Sequence, residues 1–186
     1  MNEKFNKSEL LELLGELNKR LILEDKIVDM YVYGGACLSL AYNMRESTAD
    51  IDAIFGEKDT VNRLVKNIAK DYDIEDNWLN DSVKGFVSPG FEYTSFNQKF
   101  SNITIHYPTK EVLLAMKLVS SRIEDSEDIE DIKKLSKDLN LTNEREFWEI
   151  IEKYYPVNLV LPKTNYVILE VVEELKNETN TDLNWE

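Results

Sequence analysis

The sequence predicts an α+β (α/β-type) fold: a small mixed β-sheet flanked by helices, followed by a C-terminal helical part. Three observations lead there. Residues 6–70 change period in the order helix, strand, short helix, strand, helix. Residues 91–107 carry two strand-like runs around a short polar loop, most simply a hairpin. From Lys110 onward, apolar residues recur at helical spacing.

Asn6 followed by Glu9 has the spacing of an N-cap and capping box, and Leu10, Leu14, Leu17 and Leu21 then mark one helical face to about Leu23. Val28–Tyr33 reads as a strand, residues 34–43 as a Gly turn and short helix (Ala36–Tyr42), and Asp50–Phe55 as a second strand. Val61, Leu64, Val65, Ile68 and Ala69 space a helix over roughly 57–70. Ile74–Ser88 is less regular, and Pro89-Gly90 signals a turn. Phe91–Phe96 and Asn102–Tyr107 are the hairpin strands, ended by Pro108 and Thr109, with Thr109 as cap of a helix from about Lys110. Asp125 is expected to cap a helix carrying Ile129, Ile132, Leu135 and Leu139. Thr142 is expected to cap another that ends at Pro156. A last helix is expected over Asn165–Leu175, with a frayed polar tail from Asn177. No domain boundary stands out, so residues 1–186 are read as a single domain, its core about 28–135 and its C-terminal helices about 143–176.

At 186 residues the chain is long enough for one well-buried core. A hydrophobic fraction of 42% and a charged fraction of 31% fit a globular protein and not a disordered one. No apolar run approaches the roughly 20 residues of a membrane helix, and the N-terminus lacks a secretory pattern, so the expected location is the cytoplasm. The single cysteine, Cys37, excludes an internal disulfide and reads as a small buried apolar group. A net charge of −14 argues against binding long duplex DNA, because such binding requires cations to neutralise phosphates. A nucleotide or a tRNA end stays compatible with it, through a local basic patch and a bound metal.

The chemistry concentrates in residues 34–52. Gly34-Gly35 closes the first strand and lets backbone approach a bulky ligand, with free N–H groups of the short helix behind it to cradle a phosphate. Asp50 and Asp52 lie two apart on the next strand, so their carboxylates project to one face roughly 6–7 Å apart along the chain. Two such carboxylates repel unless a cation sits between them, and Mg²⁺ takes oxygen ligands that it shares with substrate phosphates. The competing reading is an ordinary turn followed by an exposed acidic strand.

Gly34-Gly35, the short helix, and Arg45-x-x-Thr48-x-Asp50-x-Asp52 together resemble the DNA-polymerase-β-like nucleotidyltransferase superfamily. A second stretch, Leu113-Leu-Ala-Met-Lys117 with Arg122, then Asp125-x-x-Asp128-Ile, is similar to later motifs of bacterial nucleotidyltransferases of the abortive-infection (AbiEii-type) toxin branch. Trp78-Leu-Asn80-Asp81 also looks like a segment of uncharacterised relatives of that group. The resemblance spans about residues 28–135 and implies a nucleotidyltransferase fold that moves a nucleoside monophosphate from an NTP to an acceptor and releases pyrophosphate.

Carried over, Asp50 and Asp52 hold Mg²⁺ (or Mn²⁺), and Gly34, Gly35, Arg45 and Thr48 serve the nucleotide. Lys117 contacts phosphate and Asp128 supports the site. The superfamily's third carboxylate has no acid in its usual place, since Asn102–Tyr107 contains none. Asp81, Glu92 and the sole histidine, His106, are the candidates, with Asp81 slightly favoured. The expected setting is the toxin half of a toxin–antitoxin or phage-defence pair, with a tRNA or protein acceptor and a possible cognate antitoxin. Two alternatives stand beside it: modification of a small molecule of the aminoglycoside type, and a catalytically degenerate nucleotide-sensing or partner-binding module.

Overall fold

The computed structural model describes residues 4–95, 100–120 and 126–183. The chain forms two compact units, one comprising residues up to Gly85 together with Tyr93–Pro108, the other Phe86–Glu92 with the chain from Thr109 onward.

The first unit holds β1 (Phe5–Asn6), α1 (Lys7–Leu23), β2 (Val28–Val32), α2 (Gly34–Leu40), β3 (Ser47–Thr48), β4 (Ile51–Phe55), α3 (Lys58–Tyr72), β5 (Leu79–Asn80), β6 (Tyr93–Ser95) and β7 (Ile103–Pro108). Five strands make a mixed sheet in the order β5-β4-β2-β7-β6. Within it β2 runs antiparallel to β4 and parallel to β7, β4 parallel to β5, and β6 antiparallel to β7 as the expected hairpin.

Side-chain alternation divides this sheet into two faces. Val28, Met30, Val32, Ile51, Ala53, Phe55, Ile103, Ile105 and Tyr107 are buried on one. Residues between them, among them Asp29, Tyr31, Asp52, Ile54 and His106, form the more open face. The amphipathic stripes of α1 (Leu10, Leu13, Leu14, Leu17, Leu21) and α3 (Val61, Leu64, Val65, Ile68, Ala69), with Ala36, Cys37 and Leu38 of α2, add to this unit's core.

Asn6 accepts from the backbone N–H groups of Ser8 and Glu9 while Glu9 answers to the Asn6 N–H, so the expected capping box starts α1. Two short pairings carry no sequence period. β1 and β3 form a two-stranded ladder with Phe5 opposite Thr48. β5 docks through buried Trp78, whose indole N–H donates to the Val65 carbonyl at 3.2 Å.

The second unit holds α4 (Lys110–Ser120), α5 (Ser126–Asp138), α6 (Glu144–Tyr154) and α7 (Lys163–Leu183). Every residue of α4 from Val112 to Leu118 is buried, and the helix packs on α5, α6 and α7. A helix apolar on all sides belongs at the centre of a bundle. Asn143, not Thr142, caps α6: its side chain accepts from the Glu146 N–H while the Glu146 carboxylate accepts from the Asn143 N–H. α7 runs past the expected end at Leu175, and around that point Lys133 of α5 pairs with Glu174 at 2.8 Å and Glu178 at 3.3 Å. No helix among the described residues is long and apolar enough to cross a membrane.

Candidate active site

The site begins where β2 ends. Gly34 has φ +60°, a left-handed conformation that disfavours any side chain, and α2 starts at this residue, two positions earlier than the sequence suggests. A Cβ on Gly34 would stand 3.2 Å from Asp52 Oδ2. A Cβ on Gly35 would stand 2.6 Å from Thr48 Oγ1 and 3.1 Å from Arg45 Nε. The two missing side chains are therefore the space into which Asp52, Thr48 and Arg45 close.

Each of these three has a backbone partner that positions it. Asp52 is fixed because its carbonyl accepts from the Tyr33 N–H at 2.8 Å, extending the β2–β4 ladder to the edge of the glycine turn. Thr48 is buried and paired with Phe5 through the β1–β3 ladder. Arg45 folds back, its Nε donating to the Ser47 carbonyl at 2.9 Å.

Asp50 lies just ahead of β4, one residue before the observed strand start. Asn80 of β5 donates from Nδ2 to Asp50 Oδ2 at 2.9 Å, and Asn80 Oδ1 accepts from the Ser82 N–H at 3.0 Å. The second bond fixes which way the amide points, so the first fixes the rotation of the carboxylate. Burial pushes the Asp50 carboxyl above its ordinary range, against the opposing pull of the Asn80 hydrogen bond and the Arg45 charge. A partly buried carboxylate beside a second one is a site at which a cation relieves the cost of the charge.

Asn80 is the positioning residue that sequence reasoning passed over. It stood in the Trp78–Asp81 segment, but nothing local marks which polar residue there faces Asp50. Only the β4–β5 register, with Asp52 opposite Asn80, does so.

The candidates for a third acid or base each have partners of their own. Asp81 pairs with Lys58 at 3.1 Å and Lys84 at 3.4 Å, and the Lys58 hydrogen bond holds its carboxyl below the usual range. His106 stands on β7 opposite Tyr31 of β2, its Nε2 3.0 Å from Asp29 Oδ1 and its Nδ1 3.2 Å from Ser95 Oγ. Glu92 belongs to the second unit, where it meets Lys153 Nζ at 3.3 Å and the Tyr154 hydroxyl at 3.2 Å.

Lys117 also belongs to the second unit, buried on α4 between Asp128 at 2.5 Å and Asp131 at 2.7 Å. Asp131 is the partner that the sequence did not single out. Arg122 and Asp125 lie outside the described residues. Gly34, Gly35, Arg45, Thr48, Asp50 and Asp52 thus lie together, while Asp81, Glu92 and His106 each have partners of their own.

The donor set suits a hard divalent ion: two carboxylates, oxygen only, with phosphate and water left to complete the shell. Among the described residues no group of three or more His, Cys, Asp or Glu is placed to hold a metal. A family model described as a nucleotidyltransferase of unknown function (DUF6036) matches residues 8–167, which include the whole glycine–aspartate site. Neither the curated proteins nor the solved structures contain a match.

Proposed function

The chain belongs to the DUF6036 family of nucleotidyltransferases, and on that premise we propose that it moves a nucleoside monophosphate from an NTP to an acceptor at the Asp50/Asp52 site. One observation carries this reading: Asp52 closes on the side-chain-free Gly34 while Asn80 pins Asp50 beside it. Asp50 and Asp52 are the residues that would hold Mg²⁺ or Mn²⁺. When bound, such an ion neutralises phosphate charge and polarises the phosphoryl oxygens.

The chain's own residues do the rest. Gly34 and Gly35 let Asp52, Thr48 and Arg45 close onto the turn, so these side chains gather where the triphosphate would be held. Arg45, the basic side chain of this cluster, offers its guanidinium to triphosphate charge. Thr48 shapes the floor beneath Gly35, and Asn80 keeps the Asp50 carboxylate from rotating away. The acceptor oxygen bonds to the α-phosphorus, the bond to the β-phosphate breaks, and pyrophosphate leaves.

Isothermal titration of each NTP with Mg²⁺ tests the site. Wild type is expected to bind at least one NTP in a Mg²⁺-dependent way, and Asp50→Ala/Asp52→Ala is expected to lose that binding while staying folded. Absence of NTP binding by folded wild type would overturn the reading.

For the acceptor we propose a tRNA or a protein, in the toxin half of a toxin–antitoxin or phage-defence pair. The support is the resemblance of the Leu113–Lys117 and Asp125–Asp128 segments to that branch. Incubation of a lysate with α-labelled NTP distinguishes the two, since ribonuclease or protease respectively removes the label.

A second reading has an observation of its own. Asp81 is tied to Lys58 and Lys84, and no third ligand joins the carboxylate pair among the described residues. That arrangement suits a module that binds nucleotide without transferring it. NTP binding without pyrophosphate release against any acceptor would favour it.

A further inference from the structure

We propose that Ser95 is an activated nucleophile, held by an Asp29–His106–Ser95 relay on the open face of the first unit's sheet. It takes a nucleotidyl group from an NTP bound by a second copy of the chain. The nucleotidyl step rests on the transferase reading above; the nucleophile rests on its own geometry.

The relay spans adjacent strands. Asp29 is on β2, His106 on β7 and Ser95 on β6, with Ser95 directly opposite His106 in the β6–β7 register. His106 Nε2 lies 3.0 Å from Asp29 Oδ1, and its Nδ1 lies 3.2 Å from Ser95 Oγ. An ionised carboxylate only accepts hydrogen bonds, so in the neutral ring Nε2 carries the proton and Nδ1 presents its lone pair to the serine hydroxyl. The ring is also stacked on Tyr31, centroids 4.6 Å apart at 21°. Its orientation is therefore held by a carboxylate, a hydroxyl and an aromatic face. A base in hydrogen-bond reach of a hydroxyl, and itself oriented by a third group, is the arrangement that activates a serine.

Access follows from topology. β6 is an edge strand and Ser95 is exposed. Three strand spacings separate Ser95 from Ile54, its level on β4, with Asp52 two residues further along, about 14 Å across the sheet at the usual strand separation. Bond formation requires approach to about 3–3.5 Å. Ser95 is thus out of reach of its own site, and an edge residue is open to another molecule's. In the transfer, Ser95 Oγ bonds to the α-phosphorus and the bond to the β-phosphate breaks. Pyrophosphate leaves, and the serine proton passes to His106 Nδ1, giving an imidazolium beside Asp29.

Two probes on the full chain test this. A fluorophosphonate carries its own leaving group and needs no metal, so it reads the nucleophile alone. Adduct formation at Ser95, located by peptide mass spectrometry, is expected to be at least tenfold faster in wild type than in His106→Gln, and absent from Ser95→Ala. Equal rates in wild type and His106→Gln, or no Ser95 adduct, would overturn the relay.

The second probe mixes an Asp50→Ala/Asp52→Ala chain, as acceptor, with a Ser95→Ala chain, as donor, in ATP, GTP, CTP or UTP with Mg²⁺. A gain of one nucleoside monophosphate on Ser95 of the acceptor chain, only when the donor is present, is the expected result. No gain from a donor that binds NTP overturns self-modification and leaves the transferase reading intact. No NTP binding by the donor overturns that reading and the nucleotidyl step with it, while the fluorophosphonate result still decides the nucleophile.

Discussion

Gly35 shows how little room the site leaves at single-residue scale. A Cβ there would come within 2.6 Å of Thr48 Oγ1 and 3.1 Å of Arg45 Nε, so Gly35→Ala forces both to shift. We expect a stability loss of about 1–3 kcal/mol in urea unfolding, the usual size of an overpacking effect. We also expect at least tenfold weaker Mg²⁺·NTP binding by titration; unchanged binding would show that phosphate does not approach this turn. Asp50 gives a pH prediction. Burial raises its carboxyl above the ordinary range, so the folded chain holds this proton more tightly than the unfolded one. Its contribution to stability is then fully present below the ordinary carboxylate range and lost as pH rises through the raised value. In EDTA, Asp50→Asn should melt above wild type at pH 7, with the gap closing as pH falls to about 4, the ordinary Asp range. Excess Mg²⁺ should stabilise wild type selectively. An equal gap at both pH values would show that burial of the charge is not its cause.

At the scale of elements, α1 and α5 illustrate opposite cases. The Asn6/Glu9 box and the four-leucine stripe make α1 legible, because caps and periodicity are local properties. The function of α5 is not local: it brings Asp128 and Asp131 to the ammonium of Lys117 on α4. Removing that ammonium leaves two carboxylates in a site where Asp131 is only 3% exposed. Lys117→Ala is expected to cost about 3–5 kcal/mol, the size seen when one partner of a buried ion pair is deleted. Urea unfolding measures it, and Lys117→Ala/Asp131→Asn should recover part of the loss. A lost activity in Lys117→Ala therefore speaks to phosphate contact only if the variant is shown to be folded. β1, β3 and β5 are two residues each, too short to display a period, and they escape sequence reading for that reason.

For the whole molecule, charge sets the terms of encounter. A net charge of −14 repels Mg²⁺·NTP at long range, and screening shortens that range to about 8 Å at physiological salt. The association rate of a fluorescent NTP with Mg²⁺, measured by stopped flow, is expected to rise as ionic strength increases from about 20 to 200 mM. A falling rate would mean that the local field around Arg45 governs capture. The two compact units are interleaved along the chain, since Phe86–Glu92 joins the helices beyond Thr109 while Tyr93–Pro108 completes the sheet. The Pro108–Thr109 crossing coincides with a strand-to-helix change that reads as an ordinary connection, so the sequence shows no domain boundary there.

By itself the sequence determined the order of the main helices and strands, the glycine turn, and the spacing of Asp50 and Asp52 at the start of β4. Those follow from backbone periods and from the conformational freedom of glycine, which act over a few residues. Only the tertiary structure decided what those carboxylates meet. The β4–β5 pairing brought the Asn80 side chain to Asp50, and the β1–β3 ladder seated Thr48 beneath Gly35. Register also placed His106 between Asp29 and Ser95, giving the lone histidine partners 77 and 11 residues away in sequence. Such partners are chosen by sheet pairing and helix packing across long separations, and no local pattern of residues records that choice.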